Sequence, residues 1–244
     1  GLKKSFGPKD VLRGVDLEIG AGEALVILGG SGSGKSVLLK HIIGLLHPDE
    51  GSVEVDGTDL STLSSRELIE FRRRYGMSFQ EGALFDSMSV HDNIAFALRR
   101  ARPKRHRVEV DRRVAECLDL VGLDGVEAKL PSQLSGGMRR RVGFARAIAL
   151  EPEILLFDEP TTGLDPVMTA VIDEVIQGLQ RTLGSTSITI THDLASAFRI
   201  ADRVALLHAG KIRAVADPDT FRALDDPMIR QFLEGRAHGP LTDD

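Results

Sequence analysis

The sequence predicts an α/β fold with a mostly parallel sheet, and two observations carry this prediction. An apolar stretch of strand length at 24–28 is followed by a glycine-rich run and then by apolar residues at helical spacing over 37–46. Further along, strand-like stretches at 154–158 and 187–191 flank a helical pattern over 166–183. Strand, helix and strand in this order favour parallel pairing, because a parallel connection needs a long crossover.

The glycine-rich run is the first motif that carries chemistry. It reads Gly29-Gly30-Ser31-Gly32-Ser33-Gly34-Lys35-Ser36 and fits G-x-x-x-x-G-K-[ST], the phosphate-binding loop of P-loop NTPases. Glycines let backbone N–H groups curl around an anion, and the N-terminus of the next helix faces the same phosphate. Lys35 is expected to reach the β- and γ-phosphates, and the Ser36 hydroxyl to bind Mg²⁺. A flexible Gly/Ser linker would not explain a Lys-Ser pair between a buried strand and an apolar helix, so we predict a RecA-like P-loop NTPase core.

Two acidic residues stand at the end of the strand at 154–158. Asp158 ends this strand after four apolar residues, and Glu159 comes next, at the sheet edge where the phosphate loop also lies. Asp158 is expected to hold Mg²⁺, through water. Glu159 projects in another direction and suits the polarisation of an attacking water. Acidic residues at a strand end are often helix caps, but beside a phosphate loop the catalytic interpretation is favoured.

Length and composition exclude several classes of protein. With 244 residues, of which 42% are apolar, the chain suits one large domain or two small ones. A net charge of −5 and a pI near 5.8 argue against nucleic acid as the main partner. No apolar stretch has the ~18–20 residues of a membrane-spanning helix and no signal-peptide pattern opens the chain, so we expect a soluble protein. Cys117 is the only cysteine, and apolar neighbours on an amphipathic helix predict a core position for it.

The other segments predict an antiparallel β layer and a helical lobe. Alternation at Val15, Leu17 and Ile19 predicts a strand up to the turn at 20–22, and hairpins are predicted to turn at 56–57 and 209–210. Helical patterns such as 92–101 and 108–120 predict an inserted lobe, short helices are expected near 218–224 and 228–233, and the polar end from Arg236 is expected to be loosely held. The predicted organisation is one domain with core and β layer at 1–82 and 151–225, helical lobe at 83–150 and C-terminal extension at 226–244.

A second glycine-containing loop opens a helix further along. It reads Leu134-Ser135-Gly136-Gly137-Met138, and with it the chain resembles the ATP-binding subunits of ABC transporters over nearly its whole length, since LSGGQ is their signature loop. The resemblance implies ATP and Mg²⁺ as cofactors and a head-to-tail homodimer. Ser135, Gly136 and Gly137 of one copy would close over the γ-phosphate held by Lys35 of the other, as a second helix N-terminus facing one anion. Met138 departs from the pattern because it has no side-chain amide.

The resemblance also assigns roles to single residues. Phe6 stands where an aromatic residue stacks on adenine, and Gln80 stands where the Q-loop glutamine meets Mg²⁺ and the attacking water. His192 matches the switch histidine that contacts the γ-phosphate, and Gly163-Leu164-Asp165 resembles the D-loop that crosses between subunits. Each residue also has a plain structural alternative, such as a buried strand aromatic or a structural histidine. The histidines have no metal-like spacing, so no zinc site is predicted.

The segment 79–90 bears on the cargo. It reads FQEGALFDSMSV and resembles the Q-loop region of Mla-type, MCE-linked lipid transport ATPases, where the groove for the coupling helix of a membrane permease lies. Two further features resemble the same subfamily. They are Met138 with the arginines at 139–141, and the tail at 230–240. The resemblance implies phospholipid transport with permease subunits, a small accessory subunit and a lipid-binding MCE-type protein. It also implies a peripheral location on the cytoplasmic face of the inner membrane.

Three alternatives stay open at this point. One is the ATPase of an importer for a polar solute such as an amino acid. Another is a non-transport relative that acts on DNA or ribosomes, although such relatives usually carry coiled-coil insertions or tandem units. The third is a P-loop regulatory switch, which would have no use for the SGG loop or His192. The basic stretches at 99–107 and 139–141 are expected to be solvated faces, or else contacts with acidic loops or anionic lipid head groups.

Overall fold

The computed structural model describes residues 1–80, 82–101 and 103–242. The strands are β1 (Leu2–Phe6), β2 (Lys9–Val15), β3 (Ala24–Leu28), β4 (Glu54–Val55), β5 (Thr58–Asp59), β6 (Tyr75–Ser78), β7 (Ile154–Asp158), β8 (Thr186–Thr191), β9 (Arg203–His208) and β10 (Lys211–Ala216). The helices are α1 (Lys35–Ile42), α2 (Ser65–Phe71), α3 (Val90–Arg100), α4 (Arg107–Leu120), α5 (Gly136–Ala147), α6 (Pro166–Leu183), α7 (Leu194–Ile200), α8 (Pro218–Ala223) and α9 (Pro227–Glu234).

The central element is a six-stranded sheet in the order β10-β9-β3-β8-β7-β6. Its strands are parallel except for β10, which pairs antiparallel with β9. Every residue of β3 is buried, as expected for a central strand covered on both faces. The parallel register places Leu28 opposite Thr191 and Asp158 opposite Ile190, so the carboxyl ends of β3, β7 and β8 meet at one edge. The predicted α/β fold with a mostly parallel sheet is confirmed.

Antiparallel pairs lie beside and at the edge of this sheet. β1 pairs with β2, and β4 pairs with β5 through the predicted turn at Asp56 and Gly57. Both turn residues have positive φ, 49° and 75°, which is the backbone of the two-residue turn that Asp-Gly favours. The predicted hairpin of β9 and β10 turns in the same way at Ala209 and Gly210, with φ of 47° and 74°.

Two apolar clusters hold the layers together. One runs from the sheet into α3, α4 and α5, and the rings of Phe144 and Phe157 meet edge to face in it at 5.1 Å between centroids. Cys117 is fully buried in this cluster, and burial raises the pKa of its thiol to about 11, as expected for a core cysteine. The other cluster, around Leu12 and Leu25, joins β1 and β2 to the opposite face of the sheet. None of the described helices is long and apolar enough to cross a membrane.

Two expectations about irregular segments were wrong. β2 ends at Val15, and Leu17 and Ile19 lie beyond it in an irregular segment, where their alternation reflects packing against the second apolar cluster. The tail over 236–242 is held by the buried side chain of Gln231. Its amide oxygen accepts from the backbone N–H of Leu241 at 2.7 Å, and its Nε2 donates to the Arg236 carbonyl at 3.2 Å.

A glycine in β6 provides a test of how tightly the sheet packs on the helices. At Gly76, an added Cβ would meet the carbonyl oxygen of Ala147 and lie 2.7 Å from Cγ of Pro152, whereas at Gly178 in α6 it would meet open space. We expect Gly76→Ala to lower the free energy of unfolding by about 1–3 kcal/mol through overpacking. Gly178→Ala, the control, should raise it by about 0.5–1 kcal/mol because alanine favours a helix interior. Urea unfolding measures both, and a Gly76→Ala protein as stable as wild type would contradict this packing.

Candidate nucleotide-binding site

The glycine-rich loop lies between β3 and α1 and forms a narrow cradle. Gly32 and Gly34 have φ of 77° and 107°, and Gly34 is the N-cap of α1. A Cβ added at Gly29 would lie 2.7 Å from Ser33 Oγ, and one at Gly34 would lie 2.9 Å from Cδ2 of Leu12. At Gly30 and Gly32 the space is open among the described residues. Backbone conformation and close contacts therefore require glycine on one side of the loop, while the other side is accessible to an anion.

Lys35 is the first residue of α1, and its side chain folds back over the loop. Its Nζ donates to the carbonyls of Gly29 at 2.7 Å and Gly30 at 3.2 Å, and lies 3.8 Å from Oε1 of Glu159. Burial lowers the pKa of this ammonium, against the opposing charges of Glu159 and Asp158. The nearby Ser33 hydroxyl is buried and has no hydrogen-bond partner among the described residues. Both groups are donors suited to phosphate oxygens.

The acidic residues lie where β7 and β8 end. Burial and the neighbouring Glu159 carboxylate raise the pKa of Asp158, while Lys35 opposes this shift. Glu159 has a left-handed backbone, with φ of 50°, and its N–H donates to the Ile190 carbonyl on β8 at 2.8 Å. Its Oε2 accepts from Nδ1 of His192 at 2.8 Å. The structure therefore brings Lys35, Asp158, Glu159 and His192 together at one sheet edge.

Three further sequence-predicted residues are exposed, on three different elements. Ser36 is exposed in the first turn of α1, Gln80 is exposed just beyond β6, and Phe6 is exposed at the end of β1. Its ring centroid lies 5.7 Å from Nζ of Lys4. Glu81, within the predicted cargo segment, lies outside the described residues, as does Arg102 in the basic stretch at 99–107.

The SGG loop forms the N-terminus of α5. Ser135 is the N-cap, and its Oγ accepts from the Met138 N–H at 3.3 Å. Gly136 is exposed, whereas Gly137 is buried under Met168 of α6. A Cβ added at Gly137 would lie 2.5 Å from Cε of Met168. In the part of the chain that the structure describes, no hydrogen bond joins this loop to the glycine-rich loop.

Two contributors to the site were missed by the sequence reasoning. Thr162 donates from Oγ1 to Oε2 of Glu159 at 3.0 Å. Arg140 belongs to a basic run predicted to be a solvated face, yet its side chain is buried and donates to the carbonyls of Gln80 and Thr162. Its spacing of four residues from the buried Phe144 places both on one face of α5, and this was the signal available in the sequence.

The donor set fits a nucleoside triphosphate with Mg²⁺. Backbone amides at a helix N-terminus and a lysine ammonium match phosphate oxygens, and the Ser36 hydroxyl and Asp158 carboxylate are the hard oxygen ligands that Mg²⁺ prefers. The carboxylates of Glu159 and Asp158 outnumber the single charge of Lys35, and this excess of negative charge suits a divalent cation.

Comparison with known proteins shows the family. Residues 12–162 match the family described as ABC transporter, and the chain belongs to it. The probable ribonucleotide transport ATP-binding protein mkl of Mycobacterium leprae is 45% identical over 99% of this chain and 69% of that protein. The intermembrane phospholipid transport system ATP-binding protein MlaF of Haemophilus influenzae is 41% identical over 96% of this chain and 89% of that protein. The sulfate/thiosulfate import ATP-binding protein CysA of Caulobacter vibrioides is 44% identical over 89% and 63%.

A solved structure supports the same fold and cofactors. The dimeric post-hydrolysis structure of the ATP-binding cassette MJ0796, bound to ADP and Pi, superimposes with a TM-score of 0.80 at 32% identity. It covers 89% of this chain and 95% of its own. The chain is thus an ABC ATPase subunit with ATP and Mg²⁺ as cofactors, from a family whose members dimerise and work with membrane permeases.

The raised pKa of Asp158 leads to a prediction on stability. Since burial disfavours its ionised form, the carboxylate destabilises the fold at neutral pH, and this cost disappears as the pH falls through the raised pKa and the group is protonated. Without Mg²⁺ or nucleotide, Asp158→Asn should therefore melt above wild type at pH 7, and the gap should close in acid. The variant should also lose the stabilisation that MgATP gives to the wild type.

Thermal unfolding with and without MgATP measures both effects. Asp225→Asn is the matched control, because Asp225 is exposed near the C-terminal end of the chain, and it should leave both melting temperatures unchanged. An Asp158→Asn protein that melts below wild type at pH 7 without ligand would contradict this reading of the site.

Proposed function

We propose that this chain is the ATP-hydrolysing subunit of a phospholipid transporter and that it works as a homodimer that closes on two ATP molecules. The grouping of Lys35, Asp158, Glu159 and His192 at the edge of the sheet carries the proposal for hydrolysis. In this proposal the domain boundaries are those predicted from the sequence, with the glycine-rich loop in the core and the SGG loop in the helical lobe.

The chemical step relies on groups that are already oriented. Lys35 balances charge on the γ-phosphoryl group, and Glu159 accepts the proton of the attacking water. The hydrogen bond from His192 to Glu159 holds the imidazole beside the base, where we propose that it contacts the γ-phosphate. Gln80, exposed just beyond β6, is proposed to contact the attacking water. Mg²⁺, when bound through Ser36, Asp158 and Gln80, neutralises charge on the phosphate oxygens.

A second copy is needed to complete the phosphate site. Ser135 and Gly136 are exposed at the N-terminus of the 12-residue helix α5, where backbone N–H groups and the helix dipole favour an anion. We propose that Ser135, Gly136 and Gly137 of one copy bind the γ-phosphate of the ATP held by Lys35 of the other copy. Phe6 is proposed to stack on the adenine of ATP. These contacts exist only with ATP bound, and their differential affinity drives closure.

Phospholipid is the proposed cargo. Support comes from the segment 79–90, which resembles lipid transport ATPases, and from the similarity to MlaF over 89% of that protein. Within this segment Phe79 and Phe85 are 44% and 42% exposed, which suits a contact with a membrane permease. We further propose a small accessory subunit, a lipid-binding MCE-type protein and a position on the cytoplasmic face of the inner membrane. Import of a polar solute is the second candidate, favoured by the similarity to CysA.

The role of Glu159 is tested by Glu159→Gln, which keeps the shape of the side chain but removes the base. We expect kcat for ATP hydrolysis to fall by about a hundredfold or more. Nucleotide affinity should persist, and the variant should accumulate as an ATP-bound dimer. The matched control is Glu174→Gln on the exposed face of α6, which should hydrolyse ATP as wild type does. Steady-state kinetics and size-exclusion chromatography measure the outcome, and hydrolysis by Glu159→Gln at the wild-type rate would refute the role.

The cargo is tested by isolating this chain from membranes with its partners and identifying them by mass spectrometry. We expect a permease and bound phospholipid to co-purify. A soluble solute-binding protein with a polar ligand in their place would overturn the lipid assignment and favour the importer.

A further inference from the structure

One face of α5 lies along the loop that follows β6. Arg140, Gly143 and Arg146 share this face, spaced three residues apart. Arg140 donates from Nε to the Gln80 carbonyl at 3.0 Å. Arg146 donates from Nη2 to the Gly82 carbonyl at 2.7 Å, and from Nη1 to the next carbonyl along the loop at 2.8 Å. The helix therefore binds the backbone of this loop at three carbonyls.

Close backbone packing reinforces these hydrogen bonds. A Cβ added at Gly143 would lie 2.9 Å from Cα of Gly82 and 3.4 Å from Oγ of Ser78. Gly82 itself has φ of 76°, a conformation that glycine adopts readily. The loop and the helix are thus in direct backbone contact, so a shift of α5 displaces the loop as well.

Arg140 also reaches the loop that carries Glu159. Its Nη2 donates to the carbonyl of Thr162, whose hydroxyl donates to Oε2 of Glu159 at 3.0 Å. Arg140 is only 9% exposed, which limits the freedom of its side chain, and the planar guanidinium holds its donors in a fixed geometry. A single side chain of the helix opened by the SGG loop therefore bridges the backbone at Gln80 and the segment after Glu159.

We infer that Arg140 is a positioning residue that sets the distance between Gln80 and Glu159 and transmits contacts made at the SGG loop to both. The inference rests on the proposed ATP hydrolysis and deepens it by adding a residue without direct contact to nucleotide. Because Arg140 donates to the carbonyls of Gln80 and Thr162, we expect its loss to misplace the groups around the attacking water and to leave the binding of the phosphates unchanged.

The test compares three variants of the 244-residue chain. Arg140→Met keeps the length of the side chain and removes its donors. Arg140→Lys keeps one cationic donor group. Arg141→Met is the matched control, because Arg141 on the same helix donates to the Gly122 carbonyl at 2.8 Å and the Val121 carbonyl at 3.4 Å, away from the site. It therefore loses the same kind of bond from the same helix.

We expect Arg140→Met to lower kcat by roughly ten- to a hundredfold, with the dissociation constant for ATP within about twofold of wild type. Arg140→Lys should recover part of the lost rate, and Arg141→Met should keep the wild-type kcat. Amide hydrogen exchange should rise around Gln80 and in the segment 160–163 of Arg140→Met but not of Arg141→Met.

Several results would overturn the inference. They are a wild-type kcat in Arg140→Met, an ATP affinity that falls in step with kcat, or equal losses of rate in Arg140→Met and Arg141→Met. If Arg140→Met does not fold, Arg140→Lys decides, because a folded Lys variant with wild-type kcat and unchanged exchange refutes the bridge. A wild-type chain that does not hydrolyse ATP, alone or with its permease, would instead refute the proposed function.

Discussion

The arrangement of the site depends on the contacts of the buried Lys35 ammonium with the loop carbonyls and with Glu159. Burial lowers the pKa of this group and so disfavours its charge. Two loop carbonyls and the carboxylates of Glu159 and Asp158 surround the ammonium and stabilise the charged form. This neighbourhood exists because the sheet order places β3 beside β8 and β8 beside β7. A lysine after one strand thereby meets the acidic residues and the histidine that end two others. Binding of a triphosphate with Mg²⁺ would exchange these internal contacts for stronger ones.

Much of the fold could be predicted from the sequence because its signals are local. The glycine-rich loop, the acidic pair at the end of β7 and the hairpin turn at Asp56 are each formed by a few consecutive residues, and their backbone demands are specific. The bridge made by Arg140 could not be predicted, because its acceptors lie 60 and 22 positions away along the chain. The anchoring of the tail by Gln231 has the same origin, since a buried amide side chain is chosen by tertiary packing.

The proposed phosphate-binding groups of one copy belong to two separate elements of the chain. The glycine-rich loop, Asp158, Glu159 and His192 lie where strands of the sheet end, whereas the SGG loop lies at the N-terminus of α5. Arg140 connects the two elements, because it belongs to α5 and donates to the backbone of the loops that carry Gln80 and Glu159. In this account a second copy that binds at the SGG loop affects the hydrolysis step through the contacts between α5 and the loop after β6. The exposed Phe79 and Phe85 give a permease access to that loop after β6.

The central claim is that one phosphate group is held by two copies of this chain. The most direct measurement is a structure of the Glu159→Gln protein with MgATP and its permease. The account predicts a dimer in which backbone N–H groups of the SGG loop of one copy lie about 3 Å from oxygens of the γ-phosphate held by Lys35 of the other. An ATP-loaded monomer, or a dimer whose SGG loops lie far from every phosphorus atom, would contradict it.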